Sequence, residues 1–488
     1  MTPFAWTTAQ VLEATHGRLL CGALGTTFAG IGIDSRTLPT DHLFVAIAGE
    51  SHDGHDFLTA VLERGANGVV VAAAAADRLP MERIQANRVT CVAVHDTTDA
   101  LGHLARFNRC RGRLEVVAVT GSNGKTSTRR LMAQVMATTT PTLSTQGNLN
   151  NHIGLPLTLL RLAPQHRAAV LELGMNHAGE ITRLGGICEP DVAVITNVGP
   201  AHLEGLGSIE NVARAKGELL HTLRPGGTAI LNADDARVAA LADDLDCRVI
   251  FFGCTERAQV RADDIRPTDG GLAFDLTVPS GCIPVDLATP ARVMVSNALA
   301  AAAAGHALGV PVEQIKAGLE TFKPRSGRMG IVRPGRHLQL VDDSYNANPA
   351  SMVAAIDTLA DLQGDGRRLA VLGDMLELGP RSSDLHRDVG RAVGRAGIDR
   401  LYVTGQFATA VVEGAMDAHM PAAAIISGSK AELIDRLNTD LQDGDVILVK
   451  GSRGMTMEEV VTAIRQWARR ANGQDRRVTR KSHHETDQ

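Results

Sequence analysis

The chain of 488 residues suggests about three domains, at roughly 150 residues per domain. Its composition is 44% apolar but only 3% aromatic, which is typical of helices packed on parallel sheets. A formal net charge of -5 gives no basic field for a phosphodiester backbone, so we expect no nucleic-acid partner.

The sequence also predicts a cytoplasmic protein without membrane insertion. The opening segment MTPFAWTTAQ lacks a basic region followed by an apolar core, and no apolar run reaches the roughly 18 residues of a membrane span. The seven cysteines are odd in number and form no CxxC pair, which indicates reduced, mostly buried thiols without disulfides or a zinc site.

Short strands and helices alternate in the first part of the chain. Apolar patterns predict strands over residues 43–47 and 68–72, with a helix over 57–64 between them. A further strand over 91–94 and a helix over 101–108 follow. The basic, glycine-containing segment RCRGR then marks the first domain boundary.

A βαβ pattern with a parallel sheet begins after this boundary. A buried strand over 116–119 runs into a glycine-rich loop and a helix over 125–136. The later elements are predicted by short apolar runs between helical stretches. These are strands over 168–173, 192–196, 229–231 and 248–252, an antiparallel excursion over 260–287 and a helix over 296–308.

Residues 321–330 contain Pro and Gly and form the second predicted linker, after which strands and helices alternate again. The strands cover 338–341, 369–372, 401–403 and 446–449, and the helices cover 351–362, 384–393, 430–439 and 457–469.

We therefore predict an α/β protein of three domains. These are a small mixed α/β N-terminal domain (1–111), a central domain around a parallel sheet (112–325), a Rossmann-like doubly wound C-terminal domain (326–470) and a polar, disordered tail (471–488).

The strongest motif is TGSNGKTST, where the strand over 116–119 meets the following helix. Loop amides and a helix N-terminus suit a polyphosphate, so the central domain is predicted to be a P-loop nucleotide-binding domain. Lys125 would meet the β- and γ-phosphates and Thr126 would bind Mg²⁺. The alternative is a simple strand-to-helix turn. The predicted nucleotide-binding residues are Gly121, Ser122, Asn123, Gly124, Lys125, Thr126 and Ser127.

Three further residues follow in the central domain. Glu172 lies near a strand's carboxyl end and is a candidate Mg²⁺ ligand, or else a solvent-exposed glutamate. His202 follows the next strand and is a metal ligand, a proton carrier or a structural histidine. Lys216 lies on an amphipathic helix and reads, from spacing alone, as a surface lysine.

Two polar loops follow strands of the C-terminal domain. The run DDSYNANP at 342–349 suits a ribose or a polar substrate, or else forms an ordinary Asx-rich turn. The loop VKGSRG contributes Lys450, Ser452 and Arg453, which suit an anionic group such as a carboxylate.

Taken together, these segments resemble the Mur ligases, three-domain ATP-dependent enzymes that build the peptide stem of bacterial cell-wall precursors. The resemblance rests on TGSNGKTST, LELGMNHAGEI, TNVGPAHLEGLGSIENVARAKGELL and SNALAA, and covers the chain except its tail. The blocks DSR, TQGNLNNHIGLPLTLL, DDSYNANP, VLGDMLELG and VKGSR resemble the family member that acts last in the series.

The resemblance implies an amide ligation that uses ATP and Mg²⁺, two ions in number, through an acyl phosphate. The implied substrates are UDP-N-acetylmuramoyl tripeptide and D-alanyl-D-alanine, and the expected state is a monomer. The resemblance also implies a role for individual residues. The metal ligands would be Thr126, Glu172, His202 and a carbamylated Lys216. Arg328 would contact the γ-phosphate, and Asn297 and Asp343 would contact the base and ribose.

The same resemblance assigns the substrates to three regions. Ser35 and Arg36 would grip the UDP moiety, which makes 1–111 the UDP-substrate-binding domain. Asn148, Asn150 and Asn151 would face the sugar-peptide substrate. The residues on the side of the second substrate, D-alanyl-D-alanine, would be Tyr345, Asn346, Asn348 and the loop of Lys450, Ser452 and Arg453.

Other functions stay open on the sequence alone. One is another Mur or folylpolyglutamate-type ligase, a second is a phosphotransferase that makes no amide, and a third is a non-catalytic nucleotide-binding scaffold. The sequence does not specify whether lysine or a diamino acid occupies the third peptide position.

Overall fold

The computed structural model describes residues 1–471 except 270, 336 and 365, and it confirms the α/β class with three separate main sheets. Of the predicted disordered tail at 471–488, residue 471 is the last residue of a helix, and 472–488 lie outside the described residues. Within the described ranges, no helix is both long and apolar enough to cross a membrane.

The N-terminal region contains a five-stranded sheet and a two-stranded ribbon. Its strands are β1 Trp6–Thr7, β2 Arg18–Cys21, β3 Thr27–Phe28, β4 Gly30–Gly32, β5 His42–Val45, β6 Gly68–Ala72 and β7 Thr90–Val94. Its helices are α1 Thr8–Thr15, α2 Leu58–Glu63, α3 Met81–Ala86 and α4 Thr97–Arg109. The sheet order is β2-β7-β6-β5-β4, with only β2 antiparallel, and β1 pairs with β3. The continuous apolar runs of β6 and β7 are buried on both faces, as expected inside a parallel sheet.

The central region is built on nine strands. They are β8 Glu115–Thr120, β9 Thr142–Ser144, β10 Ala168–Glu172, β11 Val192–Ile195, β12 Thr228–Asn232, β13 Arg248–Gly253, β14 Val260–Thr268, β15 Gly271–Val278 and β16 Gly281–Leu287. The helices are α5 Lys125–Ala137, α6 Gly154–Leu159, α7 Glu180–Cys188, α8 Leu203–Leu206, α9 Ile209–Gly217, α10 Ala236–Ala240, α11 Val293–Ala307 and α12 Val312–Glu320.

The strand order of this sheet is β16-β15-β14-β13-β12-β11-β8-β10-β9. The pairs from β9 to β14 are parallel, whereas β14, β15 and β16 pair antiparallel, which confirms the predicted antiparallel excursion. Strand β8 is central, flanked by β10 and β11, so the loops after these three strands meet at one edge.

The C-terminal region has a six-stranded sheet of order β17-β18-β22-β19-β20-β21. Its strands are β17 Gly330–Gly335, β18 Leu338–Asp343, β19 Arg368–Leu372, β20 Arg400–Val403, β21 Ile425–Ser427 and β22 Val446–Lys450. Its helices are α13 Pro349–Asp361, α14 Ser382–Arg395, α15 Ala408–Asp417, α16 Lys430–Asp440 and α17 Glu458–Ala471. Only β17 runs antiparallel, on one edge.

The structure contains strands that the sequence did not predict, namely β1 to β4, β9, β17 and β21, and it contradicts an expectation about the cysteines. Strand β17 was not predicted, because its segment GIVRPG contains a proline and a closing glycine that weaken the strand pattern. The seven cysteines are all free, as expected, but only Cys91 and Cys188 are buried, so the prediction of mostly buried thiols is wrong. The three exposed thiols lie in loops or on the edge strand β16.

Candidate active site

A cavity of about 1040 Å³ lies between the central and C-terminal regions, where the loops after β8, β10 and β11 face those after β18, β19 and β22. It is lined by all the predicted site residues except Gly121, Ser35 and Arg36. Gly121 is buried just behind the lining. Arg36 is exposed in the N-terminal region, where it pairs with Asp34 at 3.0 Å. The predicted UDP-contacting residues therefore lie outside this cavity.

The glycine loop is built against neighbouring backbone and side chains. Gly121 has a φ of 150°, and a Cβ there would lie 1.9 Å from Oγ1 of Thr196. Gly124 has a φ of 79°, and a Cβ there would lie 2.3 Å from Oδ1 of Asn297. Both positions require glycine, because any side chain would collide as well as strain the backbone. Gly124 is also the N-cap of α5 and has no side-chain cap bond, so the helix N-terminus is available to an anion.

Lys125 is the first residue of α5 and turns back over the loop. Its Nζ donates to the carbonyl oxygens of Gly121 at 2.7 Å and Ser122 at 3.4 Å. Burial lowers the pKa of Lys125, while the nearby Glu172 carboxylate opposes that shift. A cation held by weak carbonyl partners can be redirected to a stronger anionic acceptor such as phosphate.

Glu172 is buried, at 3% side-chain exposure, so the alternative of a solvent-exposed glutamate is wrong. Its Oε1 accepts from Thr126 Oγ1 at 3.1 Å and from Asn150 Nδ2 at 3.0 Å. Its Oε2 accepts from Nε of Arg129 at 3.3 Å. Sequence reasoning missed Arg129, although it follows Lys125 by four residues on α5 and so lies on the same helix face.

The hard oxygens of Thr126 and Glu172 fit a Mg²⁺ ion, which binds one or two protein oxygens and completes its shell with phosphates and water. Among the described residues, no group of three or more His, Cys, Asp or Glu side chains could hold a metal by itself. An ion here would thus depend on nucleotide phosphates.

Lys216 contradicts the prediction of a surface lysine, because it is only 1% exposed. It follows Ile209 and Val212 at helical spacing, so it lies on the apolar face of α9 and points inward with that face. Within the described residues its amine makes no hydrogen bond or ion pair. Burial is the main cause that lowers its pKa well below the ordinary value, and the charge of Lys125 adds to the shift.

His202 contacts the C-terminal region directly. Its Nδ1 lies 3.0 Å from Oε2 of Glu377, and this hydrogen bond is the main cause that lowers the pKa of Glu377. Both residues have left-handed backbone, with φ values of 56° and 63°. Such strain in non-glycine residues is concentrated at functional sites. The contact leaves Nε2 of His202 for another partner.

The C-terminal wall is organised around a buried ion pair between Lys450 and Asp343. Lys450 Nζ also donates to the carbonyl of Asn346 at 2.9 Å, and Asp343 accepts from the Met329 amide at 3.0 Å. Burial raises the pKa of Asp343, and Lys450 opposes this shift. The loop after β18 is therefore held in place by these bonds and is more than an ordinary Asx-rich turn.

Arg328 and Tyr345 stack on each other in the wall of the cavity, with the guanidinium carbon 4.1 Å from the ring centre. Asn348 Nδ2 donates to Oδ1 of Asn123 at 2.7 Å and so joins the C-terminal wall to the glycine loop. Asn297 accepts from Thr128 Oγ1 at 3.1 Å beneath the same loop.

The remaining predicted substrate residues lie on two sides of the cavity. Asn150 binds Glu172, whereas Asn151 accepts from the amides that open α6, and Asn148 lines the same stretch. Opposite them, Ser452 accepts from the Leu376 amide at 2.9 Å. Arg453 pairs with Glu458 at 2.7 Å.

Family models match three successive parts of the chain. Residues 27–109 match the Mur ligase family catalytic domain, 119–305 the Mur ligase middle domain, and 327–453 the Mur ligase glutamate ligase domain. A relative from Escherichia coli, UDP-N-acetylmuramoyl-tripeptide–D-alanyl-D-alanine ligase, is 38% identical over 94% of this chain and 98% of its own length.

Solved structures of proteins with the same fold support the match to the family models. MurF from Acinetobacter baumannii superposes with a TM-score of 0.86 at 34% identity, over 96% of this chain and 100% of that one. MurF from Thermotoga maritima in complex with ADP gives a TM-score of 0.79 at 27% identity, over 91% of this chain and 98% of that one. This chain belongs to the Mur ligase family.

Proposed function

We propose that this protein joins D-alanyl-D-alanine to UDP-N-acetylmuramoyl tripeptide with the hydrolysis of ATP, in the cytoplasmic synthesis of peptidoglycan precursors. The observation that carries the proposal is the shared cavity, where the Lys125 loop faces the polar loops of the C-terminal wall. The name of the Escherichia coli relative supports the choice of substrates. Such a reaction would contribute to cell shape and division.

The first step activates a carboxylate, because an amine cannot displace oxide from it. An oxygen of the tripeptide's terminal carboxylate attacks the γ-phosphorus of ATP, a new O–P bond forms, and ADP leaves. Negative charge spreads over the phosphoryl oxygens in the transition state. Lys125 and Arg328 would stabilise this charge, and loss of one such contact typically costs about 3–4 kcal/mol.

The second step forms the amide. The free amine of D-alanyl-D-alanine attacks the acyl carbon, and the tetrahedral intermediate collapses with phosphate as leaving group and loss of a proton from nitrogen. Water would hydrolyse the acyl phosphate, so the site must close before it forms. We place the hinge at 324–330, between the central and C-terminal regions.

Two Mg²⁺ ions would supply charge neutralisation at the phosphates. Thr126 and Glu172 would hold one ion. The second would lie between His202 and Lys216, provided that Lys216 becomes a carbamate. The uncharged amine adds to CO₂ with loss of one proton, which converts the side chain into an anionic, carboxylate-like ligand. The burial of Lys216 without a partner supports this conversion.

We propose the other substrate contacts from the places that the residues occupy in the structure. Asn148, Asn150 and Asn151 would face the sugar-peptide, Asn297 and Asp343 the nucleoside, and the loop of Lys450, Ser452 and Arg453 the dipeptide. Ser35 and Arg36 would bind the UDP group in the N-terminal domain, at a distance from the phosphate loop. A long substrate that spans two domains suits this separation.

Phosphate release from ATP tests the proposal directly. We expect release to require the UDP-linked tripeptide and D-alanyl-D-alanine together, with the UDP-linked pentapeptide identified by mass spectrometry. A panel that includes glutamate with a folate, and a diamino acid with the UDP-linked dipeptide, distinguishes the other ligases. Phosphate release without any amide product would contradict the proposal.

A further inference from the structure

The loop between β19 and α14 presents a carboxylate to the cavity that the reaction described above does not use. Glu377 of this loop has a 59% exposed side chain and lines the cavity together with Lys125, His202 and Arg328. Its left-handed backbone and the hydrogen bond that its Oε2 accepts from His202 Nδ1 hold it at this place.

The other carboxylates of the cavity accept hydrogen bonds from the protein, and among the described residues that line it only Glu180 also leaves one oxygen without a hydrogen bond, its Oε1, which lies 3.7 Å from His177 Nδ1. Glu172 and Asp343 bind the donors given above. Glu180 accepts from the amides of Asn176 and His177 at 2.6 and 3.1 Å. Asp235 accepts from the Val198 amide at 2.7 Å and caps α10. Within the described part of the chain, Glu377 Oε1 makes no hydrogen bond.

The proposed reaction brings two amino groups toward this cavity, the α-amine of the dipeptide and the side-chain amine of the tripeptide's third residue, and of these the dipeptide's must reach the reacting carbon. ATP and the tripeptide carboxylate are anions, whereas D-alanyl-D-alanine carries an ammonium at one end and a carboxylate at the other. The Glu377 loop is tied to the basic loop after β22, because the Leu376 amide donates to Ser452 Oγ at 2.9 Å. The two connected loops therefore offer an anion, Glu377, and a cation, Arg453, to a zwitterion, and Arg453 also pairs with Glu458 at 2.7 Å.

On the basis of the proposed function, we propose that Glu377 is a specificity-determining residue that receives the ammonium of the incoming dipeptide through Oε1. The carboxylate end of the dipeptide then lies toward the loop of Ser452 and Arg453. An amine without a matching carboxylate contacts only Glu377, and a carboxylate without an amine contacts only the loop of Ser452 and Arg453. Both therefore bind more weakly than the dipeptide.

The first experiment uses steady-state kinetics with Glu377→Gln, which keeps an acceptor for His202 and removes the charge. We expect the KM for D-alanyl-D-alanine to rise roughly ten- to a hundredfold, with the KM for ATP and for the UDP-linked tripeptide unchanged. Glu377→Asp should recover part of the affinity. Glu204→Gln is the matched control, since Glu204 is exposed, lies two residues from His202 and does not line the cavity.

A second ligand separates charge recognition from a structural effect. N-propionyl-D-alanine retains the dipeptide's shape and carboxylate but lacks the amine, so it should inhibit the wild type and Glu377→Gln equally. Circular dichroism checks that the variant folds. Mn²⁺ binding, followed by electron paramagnetic resonance with a non-hydrolysable ATP analogue, should not change.

Three results would overturn the inference: an unchanged KM for the dipeptide, an equal rise for all three substrates, or weakened Mn²⁺ binding, which would assign Glu377 to the support of His202. Wild-type turnover is measured first. If the wild type makes no pentapeptide, the proposed function fails. If it does and Glu377→Gln behaves as the wild type, only this inference fails.

Discussion

Two buried lysines face the same cavity from opposite walls, and their surroundings differ completely. Lys450 in the C-terminal wall is 2% exposed and pairs with Asp343, whereas Lys216 in the central wall is 1% exposed and has no partner among the described residues. Lysine is almost never fully buried unless it is paired. The comparison separates a lysine that organises a loop from one whose burial, under the proposed function, serves chemistry.

The largest expected effect concerns the paired lysine. Lys450→Met leaves the Asp343 carboxylate buried without its cation, so we expect a loss of about 3–5 kcal/mol in the free energy of unfolding. Urea denaturation measures it. The double variant Asp343→Asn, Lys450→Met should recover a large part of the loss, because it removes both charges. Equal stability of Lys450→Met and the wild type would show that the pair does not hold this wall.

The next effect concerns the activity of the unpaired lysine. Lys216→Ala should lower kcat by about 10²–10³-fold, since it removes a ligand near the transferred phosphoryl group. Short carboxylic acids should restore part of the activity, and removal of bicarbonate should slow the wild type. Lys316→Ala is the control, because Lys316 pairs with Glu320 outside the cavity. Full activity in Lys216→Ala would rule out the carbamate role.

Stability should change in the opposite direction at Lys216. In CO₂-free buffer without nucleotide, Lys216→Met replaces an unpartnered amine by a thioether of similar length. We expect a gain of up to about 1 kcal/mol in the free energy of unfolding, because the amine makes no hydrogen bond to the described residues but still faces the cavity. A loss of stability would mean that the amine has a partner in solution.

The smallest effect is a change of shape that brings both lysines closer to the substrates. Small-angle scattering should show a smaller radius of gyration when a non-hydrolysable ATP analogue and the UDP-linked tripeptide are both present. The analogue alone and the tripeptide alone serve as controls. An unchanged radius of gyration would contradict closure about 324–330.

Sequence reasoning worked best where one element carries the whole signal. The buried run before TGSNGKTST predicted β8, the glycine loop and α5 within a residue or two, because strand, turn and helix are local patterns. Long buried strands of the C-terminal sheet, such as β19 and β22, were predicted for the same reason.

Sequence reasoning failed where the role of a residue depends on contacts with residues that are distant in the chain. Lys216 was predicted to lie on the surface, and its burial without a partner among the described residues results from the packing of α7, α8 and α10 against α9. Arg129 and Glu377 acquire their importance from contacts with Glu172 and His202, which lie 43 and 175 residues away. No local pattern encodes such pairs.

Isotope transfer tests the central claim most directly. The UDP-linked tripeptide, labelled with ¹⁸O in its terminal carboxylate, is turned over with ATP and D-alanyl-D-alanine, and the released phosphate is analysed by mass spectrometry. An acyl phosphate requires one ¹⁸O atom in each phosphate, because the attacking carboxylate oxygen leaves with phosphorus. Amide product accompanied by unlabelled phosphate would contradict the account.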